Sequence, residues 1–155
     1  MFINTTYSLI IISHIDDLLV FSKDIEKMKW LKEQLSQTVK ITDLRPTRFY
    51  LGIKINCNRT KRSISLHQHK FTKEIMARFS KSSIKPTKIP ANVGIRYDKN
   101  PSTANNRDLQ LYQQQVGSLI YLSTSTRVDI SFALGNCSRF MSNPSLDHFK
   151  AVDKV

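Results

Sequence analysis

The sequence predicts an α+β fold: an antiparallel sheet with a packed helix, then a single helix, an irregular linker and a helical hairpin. Three observations predict it. Two apolar runs flank a polar break in YSLIIISHIDDLLVF, Tyr7 to Phe21, and runs of this length suit buried strands. Alternating segments recur at FYLGIKI, Phe49 to Ile55, and at Ile64-Ser65-Leu66, as half-buried strands require. Later, apolar residues recur at helical spacing: Leu109, Tyr112, Val116, Leu119 and Ile120, then Ile130, Ala133, Leu134, Cys137, Phe140 and Met141. Strands therefore come early and helices late.

Taken in order, the first element is a hairpin whose polar tip displays Asp16 and Asp17. Met1 stands only a few residues before this buried-type strand, so the beginning of the domain is expected to be missing. Ser22-Lys23-Asp24 offers helix N-caps, and Ile25, Met28, Leu31 and Leu35 follow at helical spacing. Val39 to Thr42 alternates like a strand and is stopped by Leu44-Arg45-Pro46, since Pro cannot donate to a ladder. Phe49 to Ile55 and Ile64 to Leu66 form a second hairpin across NCNRTKRS. Phe71, Ile75 and Phe79 make one helical stripe. Lys81 to Arg107 is rich in Pro, Ser, Thr, Asn and Lys without periodicity, which marks a linker or strap. Two helices follow, with Gly117 allowing a close helix contact. Ser145 can cap a further helix through Asp147-His148, which the chain's end at Val155 leaves incomplete.

Composition bounds the function. A chain of 155 residues can bury one modest core, or form part of something larger. A net charge of +12 and a pI near 9.9 predict attraction to polyanions, RNA or DNA ahead of a membrane surface. No targeting or transmembrane segment is visible, because His14, Asp16 and Asp17 interrupt the apolar run. Cys57 and Cys137 lie far apart without CxxC spacing, which indicates neither a disulfide framework nor zinc and fits an intracellular setting, cytoplasm or nucleus. Neighbouring carboxylates repel unless water, donors or a cation offset them. Asp16 and Asp17 are thus either solvated turn residues or ligands for a hard cation such as Mg²⁺. Lys54, Arg59, Lys61, Arg62, Lys70, Lys73 and Arg78 are dense enough to track a phosphate backbone, or simply to solvate a surface. Gly52 marks a bulge, a packing contact or a close backbone approach. His67-Gln68-His69 near Cys57 lacks the closed ligand spacing of a metal site.

His14-Ile15-Asp16-Asp17 resembles the Tyr-x-Asp-Asp motif of reverse transcriptases, particularly the YVDDLL form of copia-type retrotransposon polyproteins. DLRPTRFYLGIKI, ISLHQHKFTKEIMARF and YQQQVGSLIYLSTSTRVDISFALGNCSRFMSNP resemble later blocks of that family in the same order. The resemblance covers almost the whole chain. It implies a partial polymerase palm over 1–66 carrying the double-Asp hairpin and a thumb-like helix over 67–80. A linker over 81–107 and a helical connection over 108–155 toward a ribonuclease H region complete the layout.

It also implies Asp16 and Asp17 as catalytic, metal-ligating residues with Mg²⁺ or Mn²⁺, and Leu51 and Gly52 as primer-grip-like. The implied partners are an RNA/DNA template-primer and deoxynucleotides. The chain departs from the pattern at His14, usually Tyr, at Arg45, usually Gly, and at Val128, usually Pro. No acid precedes Tyr7, where the family carries a further aspartate. The expected function is therefore a truncated reverse transcriptase, an RNA-directed DNA polymerase relative inactive on its own; the alternative is a non-catalytic basic nucleic-acid-binding module. Oligomeric state has no signal in the sequence.

Overall fold

A computed structural model of the chain describes residues 2–4, 9–44, 46–80, 87–91 and 94–155. Tyr7 and Arg45 lie outside them, as does part of the expected linker. Among the described residues, small antiparallel sheets and five α-helices make an α+β fold. It divides into two units, Met1–Leu51 and Gly52–Val155.

The first unit is built on a three-stranded antiparallel sheet, β1 (Phe2–Asn4), β2 (Leu9–His14) and β3 (Asp17–Ser22), in that spatial order. β2 and β3 pair from Leu9↔Ser22 to His14↔Asp17. Directly opposed side chains share a face, so Ile11 meets Val20 on one face while Ile12 meets Leu19 and Ile10 meets Phe21 on the other. Both faces are therefore apolar, yet Leu9 is the only described residue of the unit that is fully buried.

Helix α1 (Ile25–Thr38) begins where the Asp24 carboxylate accepts from the Glu26 amide at 2.9 Å, satisfying one orphan donor of the first turn. It packs on β3 without burying any residue completely. The strand expected at Val39 to Thr42 does not form. Val39 is extended (φ −135°, ψ 147°) and caps α1, but extended backbone becomes a strand only beside a partner, and among the described residues none pairs with it. Lys32 Nζ donates to Asp43 Oδ2 at 2.8 Å across the segment that returns from α1. The unit closes with β4 (Phe49–Tyr50).

The second unit opens with a hairpin, β5 (Ile53–Asn58) and β6 (Ser63–His67), paired from Lys54↔His67 to Asn58↔Ser63. The alternating run expected over Phe49 to Ile55 is thus interrupted. Leu51 (φ 47°) and Gly52 (φ 73°) form a turn, and the strand restarts at Ile53. Two successive positive φ values are the pattern of a type I′ turn, in which Gly is the natural second residue.

Helix α2 (His69–Arg78) follows, then α3 (Asn106–Ser125), a 3-10 turn (Val128–Ile130), α4 (Ser131–Ser138) and α5 (Leu146–Lys154). Asn105 caps α3 by accepting from the Asp108 amide at 2.8 Å. The core lies among these helices. Tyr112 and Val116 of α3 are wholly buried against Leu134, Cys137, Ala151 and Val152, and Ile75 of α2 joins Leu122 and Ile130 in an adjoining cluster. Burying a side chain such as Val116 contributes about 1.5–3 kcal/mol.

Two polar groups pin this core. The Tyr112 hydroxyl donates to the Cys137 carbonyl at 2.8 Å. His148, 1% exposed, accepts from the Ser145 amide at Nδ1 (2.8 Å) and donates from Nε2 to the Asp98 carbonyl (2.9 Å). Its ring stacks on Phe140 with centroids 3.8 Å apart. Gly117 makes no close helix contact: a Cβ there would meet nothing within 4 Å.

Candidate active site and nucleic-acid interface

The first unit's hairpin tip is a two-residue loop, Ile15-Asp16, because His14 and Asp17 are the last paired residues. The tip's two acids are therefore carried differently: Asp16 by the turn and Asp17 by the first position of β3. Both are exposed, as is His14, which stands opposite Asp17 on the same face. Ile15 takes φ 50° and is 86% exposed, whereas Asp16 keeps a negative φ. Positive φ at a central residue of a two-residue hairpin loop is where Gly, Asn or Asp is usual. A β-branched side chain in that region is a genuine outlier, and such strain concentrates at functional sites.

The acids are adjacent, solvent-facing and oxygen-only donors, a set that suits one hard cation whose other positions are filled by water or phosphate. A two-metal centre needs more. Among the described residues, no group of three or more His, Cys, Asp or Glu side chains comes together to hold a metal ion. The donors present thus do not fit that centre by themselves.

In the second unit the β5–β6 hairpin has unlike faces. Lys54, Asn56 and Asn58 lie opposite His67, Ser65 and Ser63, with Asn56 Nδ2 3.2 Å from His67 Nε2; Ile55 and Cys57 lie opposite Leu66 and Ile64. Arg59, Lys61 and Arg62 occupy the four-residue tip, where the Lys61 amide donates to Asn58 Oδ1 at 2.9 Å and Arg62 takes φ 48°. Lys70, Lys73 and Arg78 project from α2, and all seven cations are exposed. Lys70 approaches Glu74 at 3.9 Å, a solvent-screened pair of little weight. From residue 44 to residue 73 the sequence holds no acid and eight Lys or Arg residues. The two acids belong to the first unit and these cations to the second.

Leu51 and Gly52 straddle the boundary between the units. A Cβ on Gly52 would lie 2.9 Å from the Tyr121 hydroxyl, so packing within the second unit is one reason for its Gly. Sequence reading overlooked Gln68. It is 4% exposed, and its Oε1 accepts from the Thr126 hydroxyl at 2.9 Å while its Nε2 has no partner. The only hint was a Gln between two His residues, and burial from a helix 58 positions away leaves no local pattern.

A family profile described as "Reverse transcriptase (RNA-dependent DNA polymerase)" matches residues 1–93, more than half of the chain. The chain belongs to that reverse transcriptase family. It is 34% identical over 149 residues to the retrovirus-related Pol polyprotein from transposon TNT 1-94 of Nicotiana tabacum, covering 93% of this chain and 11% of that one. The corresponding Pol polyprotein from transposon RE2 of Arabidopsis thaliana is 29% identical over 142 residues, 92% of this chain and 10% of its own length. An uncharacterized mitochondrial protein of the same plant is 30% identical over 142 residues, 92% of this chain and 57% of its length.

These relatives bear out the copia-type reverse transcriptase resemblance of the four sequence blocks. The reverse-transcriptase-related chain spans about a tenth of the length of the transposon polyproteins it matches. No solved structure matches it significantly. Among the described residues no helix is long and apolar enough to cross a membrane.

Proposed function

We propose that this chain is the later part of a copia-type reverse transcriptase palm, followed by a thumb-like helix (α2) and a connecting helical region (α3 to α5). One observation carries the reading: adjacent, exposed carboxylates at the tip of a two-residue hairpin, in a chain of the reverse transcriptase family. Asp16 and Asp17 are the metal-facing pair of such a site, served in the family by Mg²⁺ or Mn²⁺, and among the described residues no third ligand joins them. The Leu51-Gly52 turn serves as primer-grip-like backbone. Lys54, Arg59, Lys61, Arg62, Lys70, Lys73 and Arg78 contact the template-primer through its phosphates, which position a strand without reading its sequence.

RNA-directed DNA synthesis from deoxynucleotides is thus the chemistry of the family enzyme, and the isolated chain does not perform it. A primer-extension assay with Mg²⁺ or Mn²⁺ tests this, with no extension expected. Template-dependent synthesis by the purified chain, abolished by Asp16→Asn, would overturn the claim.

The acid-free, cation-rich run from 44 to 73 favours a second reading, a basic nucleic-acid-binding module that needs no catalysis. Oligonucleotide binding that weakens with salt yet survives Asp16→Ala and Asp17→Ala together would support it.

A further inference from the structure

We propose that a groove of about 580 Å³ between residues 95–101 and α5 binds the phosphate backbone of a nucleic-acid strand. It is built from residues outside both the double-Asp hairpin and the β5–β6 cluster. Arg96 and Lys99 line one wall and Lys150 and Lys154 the other. Two acids, Asp98 and Asp147, also line it, so four cations against two acids leave a charge of +2. Asp147 and Lys150 form an exposed pair, Nζ donating to Oδ1 at 2.7 Å, of the solvent-screened kind that contributes little and that a phosphate can exchange for.

The walls are fixed in place. Asp147, Lys150, Ala151 and Lys154 are spaced i, i+3, i+4 and i+7 and form one helical stripe, anchored by the buried side of Ala151 and by Val152 in the core. The opposite segment has no helix or strand of its own, yet it is tied down at three points. His148 Nε2 donates to the Asp98 carbonyl at 2.9 Å, Asn100 Nδ2 donates to the Pro144 carbonyl at 2.7 Å, and Tyr97 packs against the core. Backbone ordering is thus supplied by the fold and not by the ligand, which is what preorganisation means for affinity.

Cations on both walls of an open groove suit a linear polyanion; a single phosphate calls for donors converging on one point. Lys150 and Lys154 stand about 6 Å apart along the helix axis, far enough for each to meet a different phosphate of one strand. Lys supplies point charges and Arg a planar fork, both suited to phosphodiester oxygens.

The test compares two double variants of the full chain, Arg96→Gln/Lys99→Gln in the groove and Arg107→Gln/Arg139→Gln on exposed sites outside it. Each removes the same charge. Binding to a labelled single-stranded oligonucleotide is measured by fluorescence anisotropy across a salt series, with circular dichroism confirming the fold. The slope of log K against log salt is expected to flatten by about 1.4 in the groove variant, about 0.7 for each lost phosphate contact, and by less than half of that in the other. Equal flattening in both variants, or none in either, overturns the proposal. A third result does so as well: inorganic phosphate binding that the groove variant loses while its oligonucleotide slope stays unchanged, which would make this a small-anion site.

Discussion

Replacing Ile15 by Asn is expected to stabilise the double-Asp hairpin. Ile15 holds φ 50° at the first central position of the turn, where an L-residue pays about 1–2 kcal/mol and a β-branched one sits at the upper end. Asn tolerates that region through its short polar side chain. Little is lost in exchange, because Ile15 is 86% exposed. The covered seventh of a side chain whose full burial contributes 1.5–3 kcal/mol is worth roughly 0.2–0.4 kcal/mol. The net gain is about 1 kcal/mol, or roughly fivefold in the local opening equilibrium.

The first unit has few buried groups, so it opens locally and not with the whole chain, and amide hydrogen exchange is the appropriate assay. The amides of Ile11, Ile12, Leu19 and Val20 should exchange about fivefold more slowly in Ile15→Asn. Ile15→Ala, which removes the side chain but keeps a Cβ, should give no such protection. Faster exchange in the Asn variant, or equal protection in the Ala variant, would refute the assignment of strain to this φ.

Two glycines should respond oppositely to alanine. Gly117→Ala, in the middle of α3 with open space around it, should raise stability by about 0.5–1 kcal/mol, and Gly52→Ala, at φ 73° beneath the Tyr121 hydroxyl, should lower it by about 1–2 kcal/mol, both read by chemical denaturation. Burial pushes the Cys137 thiol from 9.0 up to about 11, so the folded state holds this proton more tightly than the unfolded one. Its contribution is fully present below pH 9 and is lost as pH rises toward 11, by roughly 2–3 kcal/mol at most. Thermal melts should show that alkaline loss and Cys137→Ala should flatten it; an unchanged profile in the variant counts against the burial argument. His148→Ala removes a stacked ring, a helix cap and the tie to Asp98, and should cost about 2–3 kcal/mol in urea denaturation.

Hairpins and helices were legible where a pattern is local. The runs Leu9 to His14 and Asp17 to Ser22 flank a polar break, and the stripes of α1, α2 and α3 repeat within a few residues, so periodicity alone locates them. What failed depends on partners or on dihedral signs. Val39 to Thr42 alternates correctly but pairs with no strand among the described residues. FYLGIKI reads as one strand until two successive positive φ values turn the chain at Leu51 and Gly52. The helix cap at Ser145 was readable with its His148, but His148's burial was not, since Asp98 and Phe140 come from elsewhere in the sequence. At the candidate site, Asp16 and Asp17 stood out by chemistry, whereas nothing in the letters signals that Ile15 beside them is strained.

The division of the two acids between turn and strand has a consequence for how this motif can change over time. Asp17 keeps its face only while the ladder stays in step, and a slip of one position would send it to the reverse side of the sheet. Asp16 answers instead to loop length. An insertion or deletion next to the pair would therefore change the directions in which the two carboxylates point even though both letters survived. A comparison of relatives that counts only aspartates would miss that loss, while one that also counts residues between the strands would detect it.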